Sequence, residues 1–399
     1  MKINVTKFSL SLLAAAIIST PLAFADESSV NSDITKALAD SKVNINLRAR
    51  YEAVDQNGIN NDANALTLKS RLTLKTGTYK GLSLALEVDD ITEIIDDYNS
   101  TANGKTNYPV VADPAGTDIN QAYLQYKTES LTATAGRQRI LHNNQRFVGG
   151  VGWRQNEQTY DGYRVQFTTT DKFSLDYSYI HNVNRIFGPD GQKADLSGNL
   201  HLANAAFKVN KNHTLSAFAY LLDFDTAAAS NDTYGVLYQG DFGAVTVNLS
   251  AASQSDTGDN PNDFTANYYN AEIGTKLGQI IVLGGLEVLG SDNGNVAFGT
   301  PLATLHKFQG FADKFLGTPS HGVEDVYITA KTTLNGIKLT ATYHNLSSNE
   351  GSIDYGTEVD LVAAYKLNSY DFLVKFASYN ADELGTDTNK LWLQVATKF

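Results

Sequence analysis

Arginines are concentrated in one stretch of this chain, residues 136–167, with the sequence GRQRILHNNQRFVGGVGWRQNEQTYDGYRVQF. The stretch holds five of the nine arginines, which are Arg137, Arg139, Arg146, Arg154 and Arg164. The other four are Arg48, Arg50, Arg71 and Arg185. A guanidinium group stays protonated and can bind a carboxylate through two parallel hydrogen bonds. Because the whole chain has a formal net charge of -12, this local group of cations predicts a site that meets an anionic solute.

The composition argues against several other classes of protein. The chain has no cysteine, so it can form neither a disulfide nor a Cys-based zinc site. Its seven histidines are scattered, and none lies in a GxSxG or HExxH motif. The acidic balance also argues against binding of nucleic acid, which needs a basic face. We therefore expect no enzymatic activity, no catalytic residue, no metal, no cofactor and no nucleic-acid partner.

The amino terminus is typical of an exported protein. Lys2 and Lys7 flank the start of a short apolar run at residues 8–18, and Ala23 to Ala25 form a small-x-small cleavage site. The apolar run is too short to cross about 30 Å of hydrocarbon, which argues against a membrane anchor. The sequence therefore predicts a signal peptide at 1–25, a short periplasmic segment with one helical turn at 26–42, and the main domain at 43–399.

Apolar and polar residues alternate strictly through the main domain. The segment VNINLRARYEA at residues 43–53 shows the pattern, and similar segments recur to the end of the chain. Such alternation predicts strands with one apolar and one polar face. A water-soluble sandwich is the alternative, but segments of about ten residues with charged and amide-rich polar faces are more typical of strands that cross a bilayer around a wet lumen.

The links between these segments predict the architecture. Short turns alternate along the chain with longer polar loops. This arrangement predicts an all-β fold, a transmembrane antiparallel up-and-down β-barrel of about 18 strands with short periplasmic turns and long extracellular loops. One missed hairpin would reduce the number to about 16.

The last strand adds a further signal. Leu391, Leu393, Val395 and Thr397 share a face, and the chain ends on Phe399. An alternating strand finished by an aromatic residue resembles the carboxy-terminal signal of outer-membrane barrels. We therefore expect a monomer in the cell outer membrane, in contact with lipid and assembled by the barrel-assembly machinery through Phe399.

Three stretches resemble the alginate-export family of outer-membrane porins. The first combines GRQRI at 136–140 with VGWRQNEQTYDG at 151–162, the second is TPLATLHKFQGFADKFLGTP at 300–319, and the third is YNSTANGKTNYPVVADPAGTDINQAYLQY at 98–126. The resemblance covers the whole mature chain in order. It implies a barrel of eighteen strands that passes an acidic polysaccharide through an electropositive constriction.

The alternation also predicts which cations face the lumen. Five of them should point inward from strands: Arg48, Arg50, Lys69, Arg71 and Arg164. Arg137 and Arg139 share a face that the pattern leaves unoriented, unless the chain kinks at Gly136. The loop at 141–158 carries Arg146 and Arg154, and its glycines predict that it folds inward against the wall. The alternative is an ordinary extracellular loop.

Aromatic residues near these cations could contact sugar. Tyr123, Trp153 and Tyr160 are candidates for stacking on sugar faces in the lumen, although girdle or packing roles are the alternative. The apolar spacing at 300–319 predicts a short amphipathic helix that plugs the mouth or packs under the rim.

These observations predict a passive, arginine-lined porin for anionic or polar solutes, including uronate-type oligo- or polysaccharides such as alginate. A general diffusion porin that prefers cations or is unselective is the alternative, because the acids Glu52, Glu87, Glu157 and Asp161 could cancel the arginine charges. An outer-membrane barrel enzyme is less favoured.

Overall fold

The computed structural model describes residues 31–169 and 171–399. The predicted signal peptide at 1–25 lies outside these residues, as does the start of the predicted periplasmic segment. A helix, Asn31–Ala39, forms most of the described part of that segment, and the backbone N–H of Gly77 donates to the carbonyl of Ala37 over 2.8 Å. No helix in the described part of the chain is long and apolar enough to cross a membrane.

Twenty strands follow the helix. Their bounds are β1 Lys42–Gln56, β2 Ala63–Lys75, β3 Leu82–Asp97, β4 Gly116–Lys127, β5 Leu131–Gln138, β6 Thr159–Thr168, β7 Phe173–Asn184, β8 Asp195–Asn210, β9 His213–Phe224, β10 Asn231–Asp241, β11 Val245–Asp256, β12 Thr265–Leu277, β13 Ile280–Leu289, β14 Ser291–Asp292, β15 Val296–Ala297, β16 Val323–Leu334, β17 Ile337–Ser347, β18 Asp354–Leu367, β19 Tyr370–Ala381 and β20 Thr388–Lys398. The short strands β14 and β15 pair only with each other, inside a long loop.

The other strands close into one barrel. Within the described ranges, eighteen strands form a single sheet, and each is antiparallel to its neighbours in sequence. The seam joins β1 to β20, with Arg50 opposite Gln394 and Glu52 opposite Trp392. Closure pairs every strand on both sides, which a sheet in lipid requires because an open edge would leave backbone groups unsatisfied. The predicted eighteen-stranded barrel is confirmed.

The two faces of the wall differ as the alternation predicts. On β6, the side chain of Tyr163 is 63% exposed on the outside, and Val165 and Phe167 share that face. Arg164 lies between them and points inward, where its guanidinium pairs with Asp176 on β7. The apolar outer face is suited to lipid, and the polar inner face is suited to water.

The two ends of the barrel have different connections. Tight turns such as Asn335–Gly336 join strands at one end, and both residues of this turn have positive φ, 50° and 80°. That is the conformation of a type I′ hairpin turn, for which Asn-Gly is the favoured pair. Long loops lie at the opposite end and include residues 98–115, 139–158 and 290–322. The short turns are periplasmic and the long loops extracellular.

Two of the long loops fold into the barrel and pack on each other. The backbone N–H of Gly149 donates to the carbonyl of Leu302 over 2.9 Å, and that of Thr304 donates to Gln145 over 3.0 Å. Phe147 packs edge-on against Tyr268 of β12 and Phe298, with ring centroids 5.1 and 6.0 Å apart. The inward course predicted for residues 141–158 therefore holds in the structure.

The amphipathic helix predicted at residues 300–319 is wrong. Only a three-residue 3-10 turn, Leu305–Lys307, forms there. Gln309, Gly310 and Asp313 have positive φ, which interrupts a helical hydrogen-bond ladder. Backbone groups instead bond to the wall, where the N–H of Ala312 donates to Glu358 of β18 over 2.6 Å.

Candidate functional site

The cations of β1 and β2 that were predicted to face the lumen do face it. Arg71 makes a two-pronged contact with Asp89 of β3, with both N–O distances at 2.6 Å. Its third nitrogen donates to Glu157 of the inward loop over 3.0 Å. Lys69 lies one step along the same face, 3.0 Å from Asp89. These cations therefore connect two neighbouring strands to the loop at 139–158.

Arginines of the inward loop also form ion pairs with carboxylates of the wall. Arg139 donates to Glu87 of β3 over 3.0 Å and also to Glu157. Arg154 pairs with Glu52 of β1 at 2.8 Å and with Asp313 of the second loop at 3.3 Å. Arg154 is almost completely buried, so a carboxylate on each side offsets the cost of removing its charge from water.

Two arginines of β1 hold the loop through neutral groups. Arg48 donates to the side-chain oxygen of Gln155 over 2.8 Å, to the carbonyl of Gly152 over 3.0 Å and to the carbonyl of Arg154. The guanidinium of Arg50 lies 4.0 Å from the ring centroid of Trp153. We define the arginine cluster by six residues: Arg48, Arg50, Lys69, Arg71, Arg139 and Arg154.

Two other predicted arginines lie inside the barrel but outside the arginine cluster. Arg146 crosses to the far wall, where it pairs with Glu287 of β13 at 2.7 Å and donates to Thr300 over 3.0 Å. Arg164 donates to both carboxylate oxygens of Asp176 on β7, from Nε over 2.9 Å and from Nη2 over 2.5 Å. The predicted residues thus form one cluster and two separate ion pairs.

Arg137 lies elsewhere, and the expectation that it shares a face with Arg139 is wrong. By register, Arg137 lies on the outer face of β5, in line with Ala133 and Ala135, and pairs with Asp161 at 2.8 Å near the extracellular rim. The strand ends at Gln138, so Arg139 begins the loop and its side chain turns into the lumen. Gly136 has a φ of 117°, yet the chain keeps its alternation through Arg137.

The aromatic candidates differ in accessibility. Tyr160 is fully buried, and its hydroxyl donates to the carbonyl of Gly149 over 2.7 Å. It has no free face for a sugar, so the stacking role predicted for Tyr160 is wrong and the residue instead anchors the loop. Trp153 stacks on His306 with ring centroids 4.7 Å apart. Tyr123 lies half-buried on the inner face of β4, beside Gln121 and Gln125.

Sequence reasoning missed the contacts that join the two loops to the wall at β19 and β20. The Nδ1 atom of His306 lies 2.6 Å from a carboxylate oxygen of Asp313. Its Nε2 atom lies 2.7 Å from the ammonium nitrogen of Lys375. Burial lowers the pKa of His306 to about 3, so the ring is neutral, donates to Asp313 and accepts from Lys375. Lys390 of β20 also contacts Asp313, at 2.9 Å. The isolated positions of these residues in the sequence give no signal of their proximity.

Glu157 is the common partner of three cations. Burial alone would raise the pKa of Glu157, but Lys69, Arg71 and Arg139 hold it below its ordinary value of 4.5. The loop carboxylate therefore remains ionised wherever the cluster is intact. Gln155 and Asp113 are further anchors that the sequence did not reveal, since the N–H of Gln155 donates to Asp113 over 2.7 Å.

The lumen also contains an open space beside the loops. A cavity of about 450 Å³ lies along the wall from β10 to β18, and residues such as Arg146, Lys307, Asn270, Tyr327 and His344 line it. Its lining mixes amides, hydroxyls, carboxylates and cations, as a water-filled passage for polar solutes requires.

The closed barrel, its lipid-facing apolar wall and its polar interior define an outer-membrane porin. A family model described as alginate export matches residues 40–277, and the chain belongs to this family. No curated protein matches the chain.

Solved porin structures share the fold. OccK3 (OpdO) of Pseudomonas aeruginosa is 13% identical with a TM-score of 0.70, and the match covers 94% of this chain and 99% of that one. The outer membrane protein OpdK of the same organism is 15% identical with a TM-score of 0.71, covering 91% and 99%. OccAB4 of Acinetobacter baumannii is 11% identical with a TM-score of 0.69, covering 90% and 98%. At these identities the likeness shows the fold alone.

Proposed function

We propose that this porin is a passive channel that favours anionic and polar solutes, including uronate-type oligo- or polysaccharides such as alginate. The observation that carries the proposal is the partial exposure of paired guanidinium groups inside the barrel. The side chains of Arg139, Arg71 and Arg164 remain 28%, 14% and 13% exposed. An anion passing the loop can therefore contact these cations without displacing the loop. The name of the family agrees with an acidic polysaccharide as solute.

Weak contacts suit this role. Glu87 and Glu157 are only 7% and 9% exposed and stay in place, while the exposed edges of Arg71 and Arg139 can bind a carboxylate of the solute. Such an exposed contact contributes only about 0–1 kcal/mol, so the solute can leave again. A channel needs binding that is favourable enough for entry and weak enough for exit. In this proposal the buried contacts of Arg154 hold the loop, and the exposed edges of Arg71 and Arg139 attract the solute.

A second candidate is an unselective or cation-preferring porin. It is favoured by the carboxylates that accompany the arginine cluster: Glu52, Glu87, Asp89, Asp113 and Glu157. These acids nearly balance the cations of the arginine cluster, and the chain as a whole is acidic. A balanced interior would pass small solutes with little regard to charge.

Reversal potentials of the purified protein in a planar bilayer, under a salt gradient, separate the two candidates. We expect an anion preference that decreases in Arg139→Gln. Arg137→Gln is the matched control, because Arg137 lies two residues away on the outer face and should leave the preference unchanged. A cation preference of the parent protein, or equal effects of both substitutions, would reject the anionic channel.

We also infer that the protein has no catalytic activity and acts as a monomer. Its predicted cleavage after residue 25 can be checked by the mass of the mature protein from the outer membrane. At the other end, the N–H of Phe399 donates to Ile45 across the seam over 2.9 Å, while its side chain is 68% exposed. That exposed ring supports recognition by the barrel-assembly machinery.

A further inference from the structure

Three lysines meet at the periplasmic end of the barrel wall. Lys276 on β12 lies just before one tight turn, and Lys331 and Lys338 lie on either side of the next, at residues 335–336. All three face the lumen, because they alternate in step with inward residues such as Tyr327 and Glu272. They line a recess of about 450 Å³, which we call the lysine recess.

The strand register sets the spacing of these lysines. Lys276 lies opposite Ile281, Ile281 opposite Lys331, and Lys331 opposite Thr340. Adjacent strands are about 4.8 Å apart, so Lys276 and Lys331 start roughly 10 Å from each other. Lys338 is a diagonal neighbour of Lys331, about 7–8 Å away. Their flexible stems can therefore bring the three ammonium groups together over one ligand.

Among the described residues, no acidic group lines the lysine recess itself. The residues lining the lysine recess include no aspartate or glutamate, and none of the three lysines forms an ion pair with a carboxylate of the described residues. What distinguishes the three lysines is that they lie together, since single lysines elsewhere in the described barrel also lack a carboxylate and several others are paired with one. Lys69 and Lys390 lie 3.0 and 2.9 Å from carboxylates, and even the exposed Lys366 lies 3.6 Å from Asp371.

The remaining lining residues supply neutral hydrogen-bonding groups. Thr333, Thr340 and Gln279 surround the lysines. The recess shares Lys331 and Thr340 with the interior cavity beside the loops, so the two spaces adjoin along the wall. A ligand in the lysine recess would thus lie at the entrance to the lumen from the periplasm.

We propose that the lysine recess binds a multivalent phosphate-type oxyanion, such as a pyrophosphate or phosphate-ester group. Three unpaired ammonium groups act as compact point charges that can surround a ligand of two or more negative charges. They lack the planar two-pronged geometry with which arginine selects a single carboxylate. The nearby hydroxyls can donate to further phosphate oxygens.

Isothermal titration of the detergent-solubilised barrel with inorganic pyrophosphate tests the proposal. The triple variant Lys276→Gln, Lys331→Gln, Lys338→Gln should bind pyrophosphate at least tenfold more weakly than the parent. Lys211→Gln, in the turn between β8 and β9, is the control and should bind as the parent does. Heat-modifiable gel mobility of each variant reports whether the barrel has folded.

Two further measurements define the ligand. In the first, acetate should bind at least tenfold more weakly than pyrophosphate. In the second, the barrel is titrated with a short-chain phosphatidylglycerol to test a lipid as the ligand. Tighter binding of pyrophosphate indicates a soluble ligand, and tighter binding of the lipid indicates a headgroup. Undiminished pyrophosphate binding by the triple variant, equal binding of acetate, or no binding by the parent would overturn the proposal. Because the assay measures binding, its outcome is independent of the channel's ion selectivity.

Discussion

The arginine cluster and the lysine recess are both cationic, but they are built in opposite ways. Arg154 and Lys69 of the arginine cluster are buried and touch carboxylates. Lys276 and Lys331 in the lysine recess are exposed and touch none. A buried cation needs a partner because desolvation is costly, whereas an exposed ammonium group is stabilised by water alone.

This difference indicates a division of roles. The paired cations mainly fix the inward loops to the wall, and only their exposed edges are free to attract a solute. The unpaired cations contribute little to the fold and leave their full charge available to a ligand. Substitutions in the arginine cluster should therefore change stability first, and substitutions in the lysine recess should change binding first.

The largest expected effect is that of Arg154→Ala. Removing this guanidinium leaves Glu52 and Asp313 buried without their shared partner, which costs about 3–5 kcal/mol. We expect the loop at 139–158 to detach, so that single-channel conductance increases and thermal unfolding in detergent shifts to lower temperature. Arg185→Ala is the control, since Arg185 contacts the ring of Phe187 and has no ion pair within the described ranges. Equal effects of the two substitutions would show that pairing does not hold the loop.

Low pH should destabilise the inward loops and leave the charges of the lysine recess unchanged. The pKa of His306 is lowered by burial from 6.5 to about 3, so the unfolded chain binds more protons than the folded one between these values. The stability that His306 contributes is complete above about pH 6.5 and is lost as the pH falls toward 3. The lowered pKa of Glu157 acts in the same direction below 4.5. Lysine and arginine keep their charge throughout this range.

The measurement is the thermal unfolding midpoint as a function of pH. His306→Gln should flatten the loss between pH 6.5 and 3, because glutamine cannot take up a proton there. His181→Gln, at an exposed position on β7, should follow the parent. An unchanged profile for His306→Gln would exclude the ring as the acid-sensitive group.

A smaller effect is expected for Tyr160→Phe. The variant loses the hydrogen bond from the hydroxyl to Gly149, which is worth about 1 kcal/mol. Its unfolding midpoint should fall slightly, while the permeation of oligosaccharides measured by liposome swelling stays the same. Slower sugar permeation with unchanged stability would instead restore a direct solute contact at Tyr160.

The smallest effect on stability is expected for Lys331→Gln. An exposed side chain without an ion pair should alter the free energy of unfolding by no more than about 0.5 kcal/mol. Pyrophosphate affinity should fall nonetheless, which would separate the lysine recess from the arginine cluster most clearly. A loss of stability comparable to that of Arg154→Ala would contradict the proposed difference between the arginine cluster and the lysine recess.

The alternation of VNINLRARYEA and its repeats was sufficient to predict the strands, the barrel and the inward face of Arg48, Arg71 and Arg164. This succeeded because successive side chains of a strand point to opposite faces, so every second residue faces the same way. The same alternation would have predicted that Lys276, Lys331 and Lys338 face inward, next to tight turns. Loops have no such period, and the sequence could not show that Arg139 turns away from the face of Arg137.

The sequence by itself determined the alternating wall of this protein and the inward face of most strand cations, and it predicted about eighteen strands, because a local two-residue repeat encodes them. Only the tertiary structure decided what the loops do: that Tyr160 is buried, that residues 300–319 lack a helix, and that His306 lies between Asp313 and Lys375. Those contacts join residues far apart in the chain, and closure of the barrel brings them together. Which cations are neutralised and which remain free follows from that closure.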